Sequence, residues 1–328
     1  MPSTPSYPER TPTITVEYSA STLSRWGFFP VLLEYLRRRQ LPQRLGAITV
    51  KTAANGLYST GDKLMSLVTI FVLGLPRISH VDRSLAGETA LARRLGLKRF
   101  PSSDTLYALL KKVTSWHIKQ VDRIHQDYLT EQAHFEDAPV IADLDLSVKS
   151  TEGHQRQGAT PGYNPQHKGR DCYQWAVAFV SGLVVWQQLY RGNTSGQALV
   201  RTALEELRQR LPRLDLLRLD GGFLSAKVLN LLIEQKIHFL TKASSKLVSI
   251  RTLIEQTRPD QWQSYDENTR LRRCSKVQLL DDVPTPVTVV LVECRRRTKK
   301  MKKGRLRWRT RIFPRLANLA GAEHVERG

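Results

Sequence analysis

The sequence predicts an α/β fold, a mixed sheet flanked by helices and preceded by an all-α region. Three observations predict it. Apolar residues keep helical spacing from about Ser19 to Gln132, as with Leu32, Leu33 and Leu36. Past Pro139 the pattern changes to short strands alternating with helices. The first of those strands, Val140–Val148, alternates strictly. Asp143, Asp145 and Ser147 line one side, and Ala142, Leu144, Leu146 and Val148 line the other.

Residues 1–15 hold four prolines and no periodicity, so a disordered leader is expected. Residues 16–138 form the helical region. Its helices are placed at Leu32–Leu36 before the basic run Arg37–Arg39, at Asp62–Leu73 before Gly74 and Pro76, and at Ser84–Leu95 before Gly96. Ser102 or Ser103 is a good N-cap for the next helix, with Asp104 in its first turn. The two short helices around Gly96 admit a helix-turn-helix reading in which Thr105, Lys111 and Lys112 face DNA. An ordinary capped helix in a bundle explains the same residues more simply. A long helix, Ser115–Gln132, leads to a boundary at Pro139.

Composition bounds the function. The 328 residues suffice for two domains, and 41% of them are hydrophobic. The net charge of +21 points to a polyanionic partner, the plainer alternative being a merely basic or ribosome-associated protein. Cys172, Cys274 and Cys294 have no zinc or disulfide spacing, which fits a reducing cytosol. The start of the chain lacks the apolar run of a signal peptide, and the runs at 64–75 and 177–189 are too interrupted to span a membrane.

After the first strand comes a loop over 152–170, rich in Gly, His and Gln. Strands at Cys172–Ser181 and Leu183–Tyr190 turn at Gly182. A helix at Gly196–Arg210 precedes a strand at Leu214–Leu219 that ends directly at Asp220-Gly-Gly. A helix at Leu224–Gln235 and a strand at Ile237–Thr241 follow. This β-β-β-α-β-α-β order is that of the ribonuclease H-like fold, where the first and fourth strands lie side by side. Asp145 and Asp220 then come close, and two carboxylates so placed can hold two divalent metals about 4 Å apart. A solvated edge strand and an Asp-Gly turn are the plainer explanations of the two aspartates.

Several motifs in this order resemble the DDE transposases of bacterial insertion sequences. Asp145-Leu-Ser147 is similar to the family's first acidic block. Gly162-Tyr-Asn-Pro165 resembles a loop of a subset of these enzymes. Arg191-Gly-Asn193 is similar to their R-x-G-N turn without the intervening residue. Arg218-Leu-Asp-Gly-Gly-Phe223 resembles the second block, with Gly221 in place of a serine. The resemblance implies a ribonuclease H-like core at 139–244 and a DNA-binding and dimerising role for 16–138. It also implies a β-rich insertion at 245–316, where Val287–Glu293 is β-branched and Leu306–Phe313 alternates basic with apolar. Eleven Lys or Arg and no acid fall between Arg295 and Arg311, just over half of the net charge of +21.

The family's third acid follows a tyrosine and an arginine in a closing helix. Here His324 and Arg327 take those two places, and the glutamate falls just past Gly328. Residues 317–328 are therefore expected to be the start of a truncated helix. Glu323 and Glu326 lack the right offset, and Glu293 lies within the insertion. The implied activity is Mg²⁺- or Mn²⁺-dependent cleavage and joining of DNA strands with two ions, Asp145 and Asp220 serving as catalytic metal ligands. Arg218, Lys242, His167 and Lys168 would steady phosphate charge, with Arg191, Lys111 and Lys112. In the insertion, Arg295, Arg296, Arg297, Lys299, Lys300, Lys302 and Lys303 would contact phosphates. The implied partners are transposon-end and target DNA and a second copy of the chain, in the bacterial cytoplasm at the nucleoid and with no membrane. The missing glutamate leaves a second reading, an inactive remnant that binds DNA or inhibits a full-length copy. A structure-specific nuclease and a non-enzymatic basic scaffold are further alternatives.

Overall fold

A computed structural model of the chain describes residue 24 and residues 26–51, 56–132, 139–153, 156–297 and 308–318. It divides into two compact units, Met1–Tyr128 and Leu129–Gly328. Among the described residues no helix is long and apolar enough to cross a membrane.

The first unit is helical. Its helices are α1 (Phe29–Arg38), α2 (Leu41–Gly46), α3 (Thr60–Val72), α4 (Val81–Ser84), α5 (Thr89–Arg94), α6 (Ser103–Leu110) and α7 (Ser115–Gln132), the last running on into the second unit. Phe29, Leu33, Ile70, Leu85, Leu91, Leu106 and Leu109 are buried in one core. Helix α3 starts two residues earlier than the expected Asp62, because Ser59 and Asp62 form a reciprocal capping box. Ser102 caps α6 by accepting from the Thr105 amide at 3.3 Å. The helix expected over Ser84–Leu95 is shorter, α5 over Thr89–Arg94, and the chain leaves helix after α4 ends at Ser84. Gly87 weakens helix at the junction, and buried Leu85 anchors the break. Residues 95–102 join α5 to α6, longer than the roughly three- to four-residue turn of a helix-turn-helix, so the pair lacks that geometry.

The second unit is built on one mixed sheet. In chain order its elements are β1 (Ile141–Ser150), β2 (Thr160–Pro161), β3 (Asp171–Val180), β4 (Leu183–Arg191), α8 (Gly196–Arg210), β5 (Leu216–Leu219), α9 (Ala226–Glu234), β6 (Phe239–Lys242), α10 (Val248–Glu255), β7 (Gln263–Ser264), β8 (Thr269–Val277), β9 (Val287–Arg297) and β10 (Trp308–Ala317). The sheet has ten strands among the described residues, in the order β4-β3-β1-β5-β6-β10-β9-β8-β7, with β2 also pairing with β3. Strands β1, β3 and β4 are antiparallel neighbours, while β5 and β6 run parallel to β1. This is the ribonuclease H-like arrangement, and the β3–β4 hairpin turns through Ser181 and Gly182, both at positive φ.

The strands have two different faces. Ala142, Leu144, Leu217, Leu219, Phe239, Val289, Leu291 and Leu316 point to one side. There they pack under Leu199, Leu204 and Leu207 of α8, Leu229 and Leu232 of α9 and Ile250 of α10. The other face carries a small apolar cluster, Leu216, Leu240, Val290 and Ala317, and beyond it polar side chains. The insertion does not fold apart from this sheet. Strand β10 pairs antiparallel with β6, Arg315 opposite Lys242, and with β9 along its whole length.

Candidate functional site

Strand pairing brings the predicted acids together. Strand β1 lies beside β5 with Asp143 opposite Arg218 and Leu144 opposite Leu219. One residue past that register, Asp145 on β1 and Asp220, directly after β5, line the same cavity. The register continues outward. Leu219 is opposite Thr241, which brings Asp220 to Lys242, and Lys242 is opposite Arg315. Asp145, Asp220, Lys242 and Arg315 thus form one row across β1, β5, β6 and β10. All four line a cavity of about 450 Å³, together with Asp143, Arg218 and Thr241.

The row before it is a salt bridge. Both guanidinium arms of Arg218 donate to the Asp143 carboxylate, Nε to Oδ1 and Nη2 to Oδ2, the latter at 2.6 Å. The hydrogen bonds to Asp143 push the Arg218 pKa up, burial opposes them, and the Asp143 charge adds to the rise. Arg218, expected to steady phosphate charge, lines the cavity with its guanidinium paired to Asp143. Asp143 in turn has both carboxylate oxygens engaged by Arg218, although it still lines the cavity.

Asp145 is exposed at the cavity mouth. Lys242 Nζ lies 3.2 Å from Asp220 Oδ1. Partial burial pushes the Asp220 carboxyl up, but the nearby backbone amides of Gly221 and Gly222 and the Lys242 ammonium outweigh it and hold it below the usual carboxylate value. Carboxylate oxygens are the ligands that hard cations take, so Asp145 and Asp220 fit a divalent ion, one that would compete with the Lys242 ammonium for Asp220. Among the described residues no cluster of three or more His, Cys, Asp or Glu can hold a metal. Glu293 is not a third ligand. It lies on β9 away from the cavity and is held by Arg270, whose Nε is 2.7 Å from its Oε2. Glu323, His324, Glu326 and Arg327 lie outside the described residues.

Two of the sequence motifs meet at the outer edge of β3. A Cβ on Gly162 would stand 1.8 Å from the Gly192 carbonyl oxygen, so only glycine allows this approach. Asn164 is buried. It donates to Ser150 Oγ at 2.9 Å and accepts from the His167 amide at 3.1 Å. The Gly162–Pro165 loop is thereby fastened to the end of β1, and His167 and Lys168 stand exposed on it. Arg191 is exposed at the end of β4, away from the acidic row. Lys111 and Lys112 are exposed just past α6 in the helical unit. Arg295, Arg296 and Arg297 end β9, whereas Lys299, Lys300, Lys302 and Lys303 lie outside the described residues.

Sequence reasoning missed Arg315. The signal was present, since Arg309, Arg311 and Arg315 share the two-residue period of the last strand. Nothing local, however, says which strand that period will lie beside.

Comparisons with known proteins found a matching family and distant structural likenesses. The family described as "Transposase DDE domain" matches residues 137–310. No curated protein matches the chain. Distant likenesses to solved structures include a Mos1 transposase paired-end complex with left transposon end, at 12% identity and a TM-score of 0.22, covering 63% of this chain and 66% of that one. A Mos1 mariner paired-end complex with Mn is 12% identical, with a TM-score of 0.23, covering 68% and 73%. A Drosophila P element transposase strand transfer complex is 15% identical, with a TM-score of 0.29, covering 63% of this chain and 42% of that one.

Proposed function

The chain belongs to the transposase DDE domain family, and on that premise we propose that it cuts and joins DNA strands at the ends of a mobile element by metal-dependent phosphoryl transfer. Asp145 and Asp220 would hold the metal. The observation that carries this reading is their adjacency in one cross-strand row that lines one cavity. Divalent metal, Mg²⁺ or Mn²⁺ and two ions on this reading, supplies positive charge against the attacking and leaving oxygens of a phosphate.

The chain's own residues do the rest. Asp220 stays ionised because its neighbours hold its pKa low, so it is ready to accept a cation without first losing a proton. Asp145 presents its carboxylate from a strand fixed on both sides, by β3 and by β5. The Arg218–Asp143 pair below the row cancels one acidic charge next to the site and leaves two for the metal. Lys242 moves from Asp220 to phosphate oxygen as DNA enters. Attack by water or by a DNA 3′-hydroxyl needs no covalent enzyme intermediate, so no Ser or Cys nucleophile is assigned.

The helical unit is assigned to end recognition and pairing of two copies, and the basic residues of the β9–β10 hairpin to sequence-independent phosphate contact. The DNA is that of the cytoplasm, at the bacterial nucleoid. The test is Mg²⁺-dependent nicking of a duplex carrying the DNA that flanks the gene. Wild type nicks it, whereas Asp145→Ala and Asp220→Ala do not, though both still bind the duplex. Equal nicking by wild type and either variant would overturn the assignment.

A further inference from the structure

Arg315 closes the row. Strand β10 carries it into the sheet beside β6, opposite Lys242 on one side and Val290 on the other. It is half-buried and lines the same cavity as Asp145 and Asp220. Among the described residues its side chain makes no hydrogen bond or ion pair, in contrast to those of Arg218, Arg270 and Lys242, each of which has a carboxylate. It also lies beyond residues 137–310, the stretch matched to the family.

A guanidinium has five N–H donors in a planar fork and stays charged in proteins. Leaving those donors unmet in a partly buried place is costly, and an oxyanion with two oxygens in one plane meets them best. Burial draws the Arg315 pKa below its ordinary value, with the Cys294 thiol and the Asp220 carboxylate opposing. The row has a polarity. Its acidic half lies over β1 and β5, and its cationic half over β6 and β10. With strands about 4.8 Å apart, the four residues span roughly 14 Å, and the long side chains of Lys242 and Arg315 can reach inward along it. Before Arg315, from Trp308 to Pro314, strand β10 pairs with β9 alone, and β9 ends in the arginines that open the basic run.

We propose that Arg315 is a phosphate-binding residue of this site. With Lys242 it takes the non-bridging oxygens of a DNA backbone phosphate while Asp145 and Asp220 face the same strand. The identity of the ligand rests on the transposase reading. The strand enters along the β9–β10 hairpin and passes from the cationic half of the row to the acidic half.

The test uses the full chain and a mixed-sequence duplex oligonucleotide in EDTA, with binding read by fluorescence anisotropy across a salt series. Arg315→Gln is expected to weaken binding several-fold at fixed salt and to reduce the log–log salt slope by about one, the loss of one phosphate contact. Arg315→Lys is expected to keep the slope, since the charge remains. Thermal unfolding of each variant is followed in parallel. Equal slopes for wild type and Arg315→Gln overturn the proposal. So does a lowered unfolding midpoint with an unchanged slope, which would assign the guanidinium to a partner within the chain. Should Arg315→Gln not fold, a slope kept by Arg315→Lys but lost in Arg315→Met supports the proposal, and equal slopes in those two overturn it. The binding measurement needs no cleavage. A wild type that binds with the expected slope but never nicks DNA would overturn the transposase reading and leave the phosphate contact standing.

Discussion

Arg218 of β5 grips both carboxylate oxygens of Asp143 on β1, one side-chain step below Asp145 and Asp220. The pair splits the acids of the first strand into two kinds, one neutralised and one open. Both partners are over a third exposed in their side chains, so solvent screening keeps the pair's worth to about 1 kcal/mol. Arg218→Lys is expected to lose that stability, because an ammonium cannot make the two-armed contact. It should also slow nicking, since Asp143 would then compete for the cation. Thermal unfolding and single-turnover nicking check both effects. Nicking at the wild-type rate would show that Asp143 needs no neutralising.

Gly162 and Gly192 touch backbone to backbone. Gly162→Ala must push the two segments apart, at a cost of about 1–3 kcal/mol. Gly27→Ala has open space around it and serves as the control. Limited proteolysis should cut the 156–170 loop of Gly162→Ala faster than that of wild type, with the control unchanged.

Asp82, in the first turn of α4, ties that helix to the start of α6. Its Oδ1 accepts from the Ser103 amide at 2.9 Å and its Oδ2 from the Ser103 hydroxyl. The Ser103 hydroxyl is the largest influence, the Ser103 amide the next, and together they hold the Asp82 carboxyl below its ordinary value. A folded pKa that is depressed gives stability that is present above the unfolded value, about 3.9, and is lost as pH falls through the folded one. Wild type should therefore exceed Asp82→Asn in unfolding free energy at neutral pH, and the gap should close in acid below about pH 4. A gap that persists at pH 2 would mean that the carboxylate's charge plays no part.

Asn318 clamps the end of β10 to β6. Its Oδ1 accepts from the Phe239 amide and its Nδ2 donates to the Ile237 carbonyl, both at 2.8 Å. Asn318→Ala leaves that amide and carbonyl without these partners and is expected to cost about 1–3 kcal/mol. It should also mimic, in part, the reduced salt slope of Arg315→Gln, because Arg315 stands three residues away on the freed strand. Hydrogen exchange across β6 and β10 reads the first effect, and duplex binding reads the second.

Much of this was legible in the chain itself. The alternation of Asp143, Asp145 and Ser147 against Ala142 and Leu144 carries straight into the two faces of β1. The Asp-Gly-Gly after Leu219 marks the strand end that meets Asp145. Local patterns of that kind depend on near neighbours in sequence. What escaped depends on distant ones. The pairing of Arg218 with Asp143 spans 75 residues, and the docking of β10 on β6 follows from the open hydrogen-bonding edge of β6 rather than from any signal in either strand. The break at Leu85–Glu88 was hidden because the buried Leu85, Leu91 and Ala92 are apolar whether or not the helix is continuous.

The insertion strand lying inside the sheet also orders events in time. Asp145, Asp220 and Lys242 belong to strands that can pair once the chain is made through β6. Arg315 comes much later in the chain, and bringing it to Lys242 means closing the long loop between them, an entropic cost met only when β9 and β10 have zipped together. A nascent chain, or one opened locally at β10, keeps its acidic pair and Lys242 and lacks Arg315, the far end of the row. The row thus fills in two stages, and the last strand to arrive completes it.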